Sequence, residues 1–242
     1  MAATRRPTRA GAAAIRARLH ALADPRIAAN STRFFKTGPG EYGSGDRFLG
    51  VPVPVLRALA REFRGTATTT AFALLESPWH EQRLLALLLL VARFDHSDEA
   101  ERAKIYRRYV ATISRRVDNW DLVDASAPAI VGGYLARRGR QPLYRLARSR
   151  DLWERRVAIL ATLTFIRQGS FADTLALAAL PLGDEQGLIH KATGWMLREV
   201  GNRDRTALEA FLDRHCAHMP RTMLRYAIEK LPARRRRAYL GT

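Results

Sequence analysis

The sequence predicts an all-α fold, a right-handed solenoid of paired helical repeats. Three observations carry this reading. From about residue 54 to the C-terminus, apolar residues recur at helical spacing, and no alternating strand pattern with hairpin turns competes. The periodic segments are broken at Gly65, Ser77-Pro78, Gly139, Gly169, Pro181-Leu182-Gly183, Gly201 and Pro232. The segments opening at Glu81, Glu154 and Ile189 can also be laid over one another, each with a basic residue at the start of an apolar helix. Those residues, Arg83, Arg156 and Lys191, stand 73 and 35 positions apart. The first interval is close to two periods, with Asn119–Ile130 filling the missing unit. A period of roughly 35–40 residues with two helices in each is the signature of HEAT-like repeats. Such stacks offer a concave surface, and a basic residue recurring at one repeat position would make it a concave basic groove of duplex dimensions.

Composition narrows the partner. Of the 242 residues, 41 are Lys or Arg and 23 are Asp or Glu, a formal net charge of +18. This points to a polyanion. Only Lys36, Lys104, Lys191 and Lys230 are lysines, so the excess is almost all arginine, spread through the body as well as in the Arg234–Arg237 run. The single cysteine, Cys216, excludes an intrachain disulfide and suits a reducing, cytoplasmic (nucleoid-associated) setting. No apolar run reaches the roughly 18 residues of a membrane span; the longest, Leu84–Ala92, suits a buried helix. Residues 1–10 read as a basic, disordered arm and 11–242 as a single repeat domain, with a monomer as the default state.

Taken in order, Gly11–Ala23 reads as a first helix. Asp24-Pro25 caps a short helical turn, because Asp accepts from the first amides and Pro fits the first helical position. Phe34–Asp46 is an irregular loop with four glycines. No Gly-Lys-Ser/Thr follows it, so it is a structured connector able to approach a ligand backbone, not a phosphate-cradling loop. A helix follows at about 54–64. Further helices are expected at 67–75, 79–94, 98–114, 119–126, 128–138, 140–148, 151–168, 171–180, 186–201, 204–215, 219–230 and 232–240.

Two stretches stand out chemically. In Gly187–Asp204, Trp195 and Arg198 share a helix face, a pair that can hold a nucleic-acid backbone or serve as core and solvated charge. In Asp118-Asn119-Trp120-Asp121-Leu122-Val123-Asp124, Trp120 and Asp124 stack four residues apart. A carboxylate beside an indole repels phosphate, so it needs either a structural partner or a reaction that develops positive charge. The structural alternative has Asp118 or Asp121 capping the helix and Asp124 paired with an arginine. Near Trp153, which is expected to pack between repeats, Arg155 or Arg156 should face the groove. Arg221 and Arg225 share a face, with Glu229 as the expected partner of Arg225. His215, Cys216 and His218 lack a third and fourth zinc ligand at proper spacing, and nothing in the residues calls for a metal or a cofactor. Neither a Gly-x-Ser-x-Gly turn nor a His-Glu-x-x-His helix occurs.

Asn119-Trp120-Asp121-Leu122-Val123-Asp124, Trp153-x-x-Arg156-x-Ala158-Ile159-Leu160 and Lys191-Ala192-x-Gly194-Trp195-x-Leu197-Arg198-Glu199 together resemble the AlkD-type DNA alkylation repair glycosylase family. Phe48-Leu49-Gly50-Val51 and the segment from Arg221 to Glu229 extend the resemblance over roughly residues 30–240. It implies HEAT-like repeats and a monofunctional DNA glycosylase that excises cationic N-alkylated purines, of the 3-methyladenine and 7-methylguanine type, from duplex DNA in base excision repair. Trp120, Trp195 and Asp124 match its catalytic positions. Arg156 and Arg198 match its DNA contacts, and Lys191, Arg83 and Arg221 are the further candidates. A positively charged purine already weakens its glycosidic bond, and the transition state resembles an oxocarbenium ion. Indoles stabilise such a cation by roughly 0.5–2 kcal/mol each, and Asp124 adds electrostatic stabilisation and positions water. Two competing readings are a non-catalytic HEAT-repeat protein binding damaged or unusual DNA, and a protein-interaction scaffold.

Overall fold

The computed structural model describes residues 10–241, so all but the last residue of the expected N-terminal arm lies outside the described residues. The chain divides into two compact units, Met1–Ser126 and Ala127–Thr242. In both, the described residues form helices and loops without a β-strand; an isolated backbone bridge joins Arg47 and Trp79. The fold is all-α, as the sequence predicts.

The first unit contains α1 (Ala12–His20), α2 (Pro25–Phe34), α3 (Val53–Glu62), α4 (Thr68–Leu75), α5 (His80–Asp95), α6 (Glu99–Arg116) and α7 (Trp120–Ala127), whose last residue belongs to the second unit. The apolar helix α5 is the centre, with α3, α4 and α6 packed against it. Leu85, Leu87 and Leu90 are fully buried with Phe72, Ile105 and Tyr109. Asp98 caps α6 by accepting from the Glu101 amide. The short turn expected after Asp24-Pro25 is instead a ten-residue helix. Asp24 accepts from the amides of Arg26 and Ile27 and Pro25 opens the helix, as the cap signal implies. The helix buries none of its residues, which is why no core periodicity announces it.

The loop after α2 is pinned from inside. Glu81, buried on α5, accepts hydrogen bonds from the backbone amides of Leu49, Gly50 and Val51 at 2.9, 2.7 and 3.3 Å. Gly50 has φ +82°, and a Cβ there would lie 2.0 Å from the Asp24 carbonyl oxygen. Only glycine allows this approach.

The second unit continues from α7 through a π-helical turn (Pro128–Gly132) into α8 (Gly133–Leu135). Then come α9 (Gln141–Ala147), α10 (Leu152–Ala161), α11 (Leu163–Arg167), α12 (Ala172–Ala179), α13 (Gly187–Gly201), α14 (Arg205–His215), α15 (Arg221–Ala227) and α16 (Ala233–Leu240). The regular helix expected over 128–138 is thus replaced by the π turn and α8. Pro128 has no amide to donate, and its own carbonyl accepts from the Thr164 hydroxyl at 2.5 Å. Asp151 and Asp204 cap α10 and α14. α13 packs against α10, α14 and α15. Its approach to α15 needs Gly194, where a Cβ would lie 2.5 Å from both the Met223 carbonyl oxygen and the Tyr226 Cβ. Leu197, Leu208, Phe211, Leu212, Met223 and Leu224 form the core beneath.

Candidate functional site

In the first unit, α7 carries Trp120 and Asp124, both half-buried. Asn119 precedes the helix, and its side-chain oxygen accepts from the Trp120 amide at 2.8 Å; Asp118 and Asp121, which the structural alternative would have capping the helix, lie instead beside Arg83 and His80. The indole is held by the α2 end. Phe35 lies stacked on it, with ring centroids 5.4 Å apart and planes 16° from parallel, and Phe34 meets it edge-on at 6.0 Å. Phe35 in turn stacks on Phe48 at 5.0 Å and leans on the His80 ring at 4.8 Å. Burial, reinforced by the negative charge of Asp124, disfavours ionisation of Tyr109, which shares a 2.8 Å hydrogen bond with Ser126.

Beneath this aromatic column lies a buried charge network. His80 bridges two carboxylates, with Nδ1 3.1 Å from Asp46 and Nε2 2.8 Å from Asp121. Arg83 pairs with Asp46 and stands 3.5 Å from Asp118, and the Asn119 amide donates to Asp46 at 2.8 Å. Burial alone would push the His80 pKa down; the carboxylates of Asp121 and Asp46 outweigh it and raise it to about 9. Burial would likewise raise Asp46, but His80, Arg83 and Asn119 hold it at about 2. Asp118 is raised by burial and by Asp46, against the pull of Arg83. His80 is therefore an imidazolium between two carboxylates, tying the loop residue Asp46 to the first turn of α7.

Arg83 itself is 4% exposed, as is Arg156 in the second unit. Both were expected to line a groove and contact DNA; both guanidiniums are instead engaged inside the fold. Arg83 is needed by Asp46 and Asp118, and Arg156 donates to the Leu188 carbonyl at 2.6 Å, in the first turn of α13. The neighbouring Arg155 pairs with Asp184 at 2.8 Å. A buried guanidinium needs such partners, because removing it from water is otherwise costly.

The exposed candidates of the second unit are on α13 and α15. Lys191 is exposed and has no ion-pair partner among the described residues. Trp195 is half-buried and donates from its indole N–H to Glu199 at 3.3 Å. Arg198 pairs with Glu229, the acid expected to hold Arg225. Arg221 is exposed and donates to the Leu240 carbonyl at 3.1 Å. Trp153 is buried, as expected of a packing residue. The His215 ring packs on Phe211 at 4.5 Å. No helix among the described residues is long and apolar enough to cross a membrane.

Sequence reasoning missed His80, Asp46, Glu81 and Phe35. The available signal was four polar residues, His80-Glu81-Gln82-Arg83, directly before a leucine run. All four are buried.

The family model of the DNA alkylation repair enzyme matches residues 15–231, nearly the whole chain. The chain belongs to the DNA alkylation repair enzyme family. A solved structure of a predicted DNA alkylation repair enzyme from Enterococcus faecalis is similar to it, with a TM-score of 0.68 at 19% identity, covering 87% of this chain and 97% of that one. That likeness concerns the fold. No curated protein matches. Family membership places the chain in the repair of alkylated DNA, and the segments that carried the resemblance, around Trp120, Arg156 and Trp195, all lie inside the matched region.

Proposed function

We propose that this protein is a monofunctional DNA glycosylase that hydrolyses the N-glycosidic bond of cationic N-alkylated purines in duplex DNA. The observation that carries this is Trp120 and Asp124 on one face of α7, with the indole backed by Phe35 and the helix start anchored by the His80 network. A stacked, immobilised indole beside a carboxylate suits a cationic sugar and is a poor surface for phosphate.

In the proposed reaction, the bond from C1′ to the purine nitrogen breaks with its electron pair moving to the purine. That neutralises the base's positive charge, so the base leaves without an acid. The carboxylate of Asp124 stabilises the oxocarbenium-like sugar and takes the proton of the water that attacks C1′. Trp120 stabilises the same cation through its π face, and Trp195 on α13 is assigned the second aromatic contact. Lys191, Arg198 and Arg221 are assigned to phosphates. Arg83 and Arg156, being buried, are assigned to holding Asp46 and Asp118 and the start of α13. No cofactor or metal is invoked, and the partner is duplex DNA with alkylated purines, bound by a monomer.

Base release from methylated duplex DNA tests the reading, comparing the wild type with Asp124→Asn. Free methylpurine from the wild type and a loss on the order of 10²–10³-fold in the variant is expected for a lost electrostatic contact. Tight duplex binding with no release from the wild type would favour a non-catalytic relative that binds damaged DNA.

A further inference from the structure

Phe34 ends α2 and is 65% exposed, the most exposed large apolar side chain among the described residues. It is nonetheless well supported. Its ring stands edge-on to Phe35 at 5.2 Å and edge-on to Trp120 at 6.0 Å, so two aromatic neighbours brace it while most of its surface stays in water. Arg33 just before it and Lys36 two residues after it are cationic and also exposed. Arg33 donates to the neutral Asn30 side-chain oxygen at 2.6 Å, which leaves its charge uncompensated. Lys36 has no ion-pair partner among the described residues.

Lys36 is also the one described non-glycine residue with a left-handed backbone, φ 51°. Its carbonyl accepts from the Gly43 amide at 3.1 Å, which holds the reversal. That turn sends Phe35 inward onto Trp120 and Phe48 while Phe34 and Lys36 remain in solvent. Strain of this kind persists only where surrounding contacts enforce it, and it concentrates at ligand-binding segments.

We propose that Arg33, Phe34 and Lys36 form a nucleobase-stacking platform. Phe34 takes the face of an unstacked base in DNA, and the two flanking cations hold the phosphates on either side of it. An aromatic face between cations is how single-stranded and unstacked bases are held without sequence preference, because every base has a π face. A protein partner would have to bury Phe34 between two unpaired positive charges, which opposes a hydrophobic dock. Since the platform touches Trp120, the base it holds is a neighbour of the lesion. That choice of base rests on the proposed glycosylase site; the stacking itself does not.

The test uses the full chain and a duplex with 2-aminopurine next to a tetrahydrofuran abasic-site analogue, so that no excision is required. The wild type should change the 2-aminopurine fluorescence on binding. Phe34→Ala should lose that change and weaken affinity by roughly 10-fold, while Phe34→Trp restores both. Arg33→Gln and Lys36→Gln should each lower the salt slope by about one. Far-UV circular dichroism and melting verify that the exposed-site variants remain folded. Equal fluorescence change and affinity in Phe34→Ala and wild type would overturn the platform. Base release with no Phe34-dependent stacking overturns the platform and leaves the glycosylase; stacking without base release does the reverse. A wild type that binds no duplex overturns both.

Discussion

Phe35 lies flat on Trp120, with 5.4 Å between ring centroids and 16° between the planes. One residue from the loop thus sets the orientation of the indole proposed to face the cationic sugar. Phe35→Ala removes this backing together with the contacts to Phe48 and His80. A stability loss of about 2–4 kcal/mol is expected from the cavity and the lost ring packing. Base release should fall further than unfolding explains, because Trp120 gains rotational freedom. Phe35→Tyr keeps the stack and should keep most of the activity. Turnover measured at a temperature where every variant is folded separates the two effects.

His80 makes stability depend on pH in a defined window. Its pKa is raised in the fold to about 9 from an ordinary 6.5, so the native state binds the proton more tightly than the unfolded chain does. The contribution is fully present below pH 6.5 and is lost as pH rises toward 9. On the order of 3 kcal/mol is at stake. Wild-type melting temperature should therefore fall between those values, while His80→Gln should be less stable at pH 6 and flatter across the window. A wild type with no decline over that range would contradict the imidazolium assignment. Asp46 acts at the other end: its pKa is depressed to about 2, so its contribution is present above pH 3.8 and lost as pH falls through 2.

Gly194 is where α13 and α15 approach each other. A Cβ there would meet the Met223 carbonyl oxygen at 2.5 Å, and a backbone atom cannot swing aside. Gly194→Ala should destabilise the second unit by about 1–3 kcal/mol despite the better helix propensity of alanine. Denaturant unfolding would read this; a neutral or stabilised variant would show that the two helices can separate freely.

Glu229 competes for Arg198. The ion pair is partly exposed and therefore weak, so a phosphate can displace the carboxylate. Glu229→Gln should tighten duplex binding several-fold at low salt and steepen the salt dependence by up to about 0.9 in log–log slope if one more phosphate is neutralised. Arg198→Gln should do the opposite. Fluorescence anisotropy at several salt concentrations measures both, and an unchanged slope in both variants would remove Arg198 from the DNA contacts.

What the sequence alone determined is local. Helical periodicity, Gly and Pro breaks, and the Asp caps at Asp24, Asp98, Asp151 and Asp204 encode where most helices begin and end, because capping and amphipathicity involve residues within one or two turns. The Trp120–Asp124 and Trp195–Arg198 pairs are also local, since residues three or four apart share a helix face. Tertiary structure alone decided which charges are inside. Arg83 and Lys191 look alike in the repeat alignment, yet Asp46, 37 residues away in the chain, draws Arg83 into the core, while Lys191 stays in water. The His80 bridge spans 34 and 41 residues to its two carboxylates, and Phe35 reaches Trp120 through a loop with no periodicity at all. Burying a charge is favourable only when distant partners arrive together, and no local pattern of residues records that arrival.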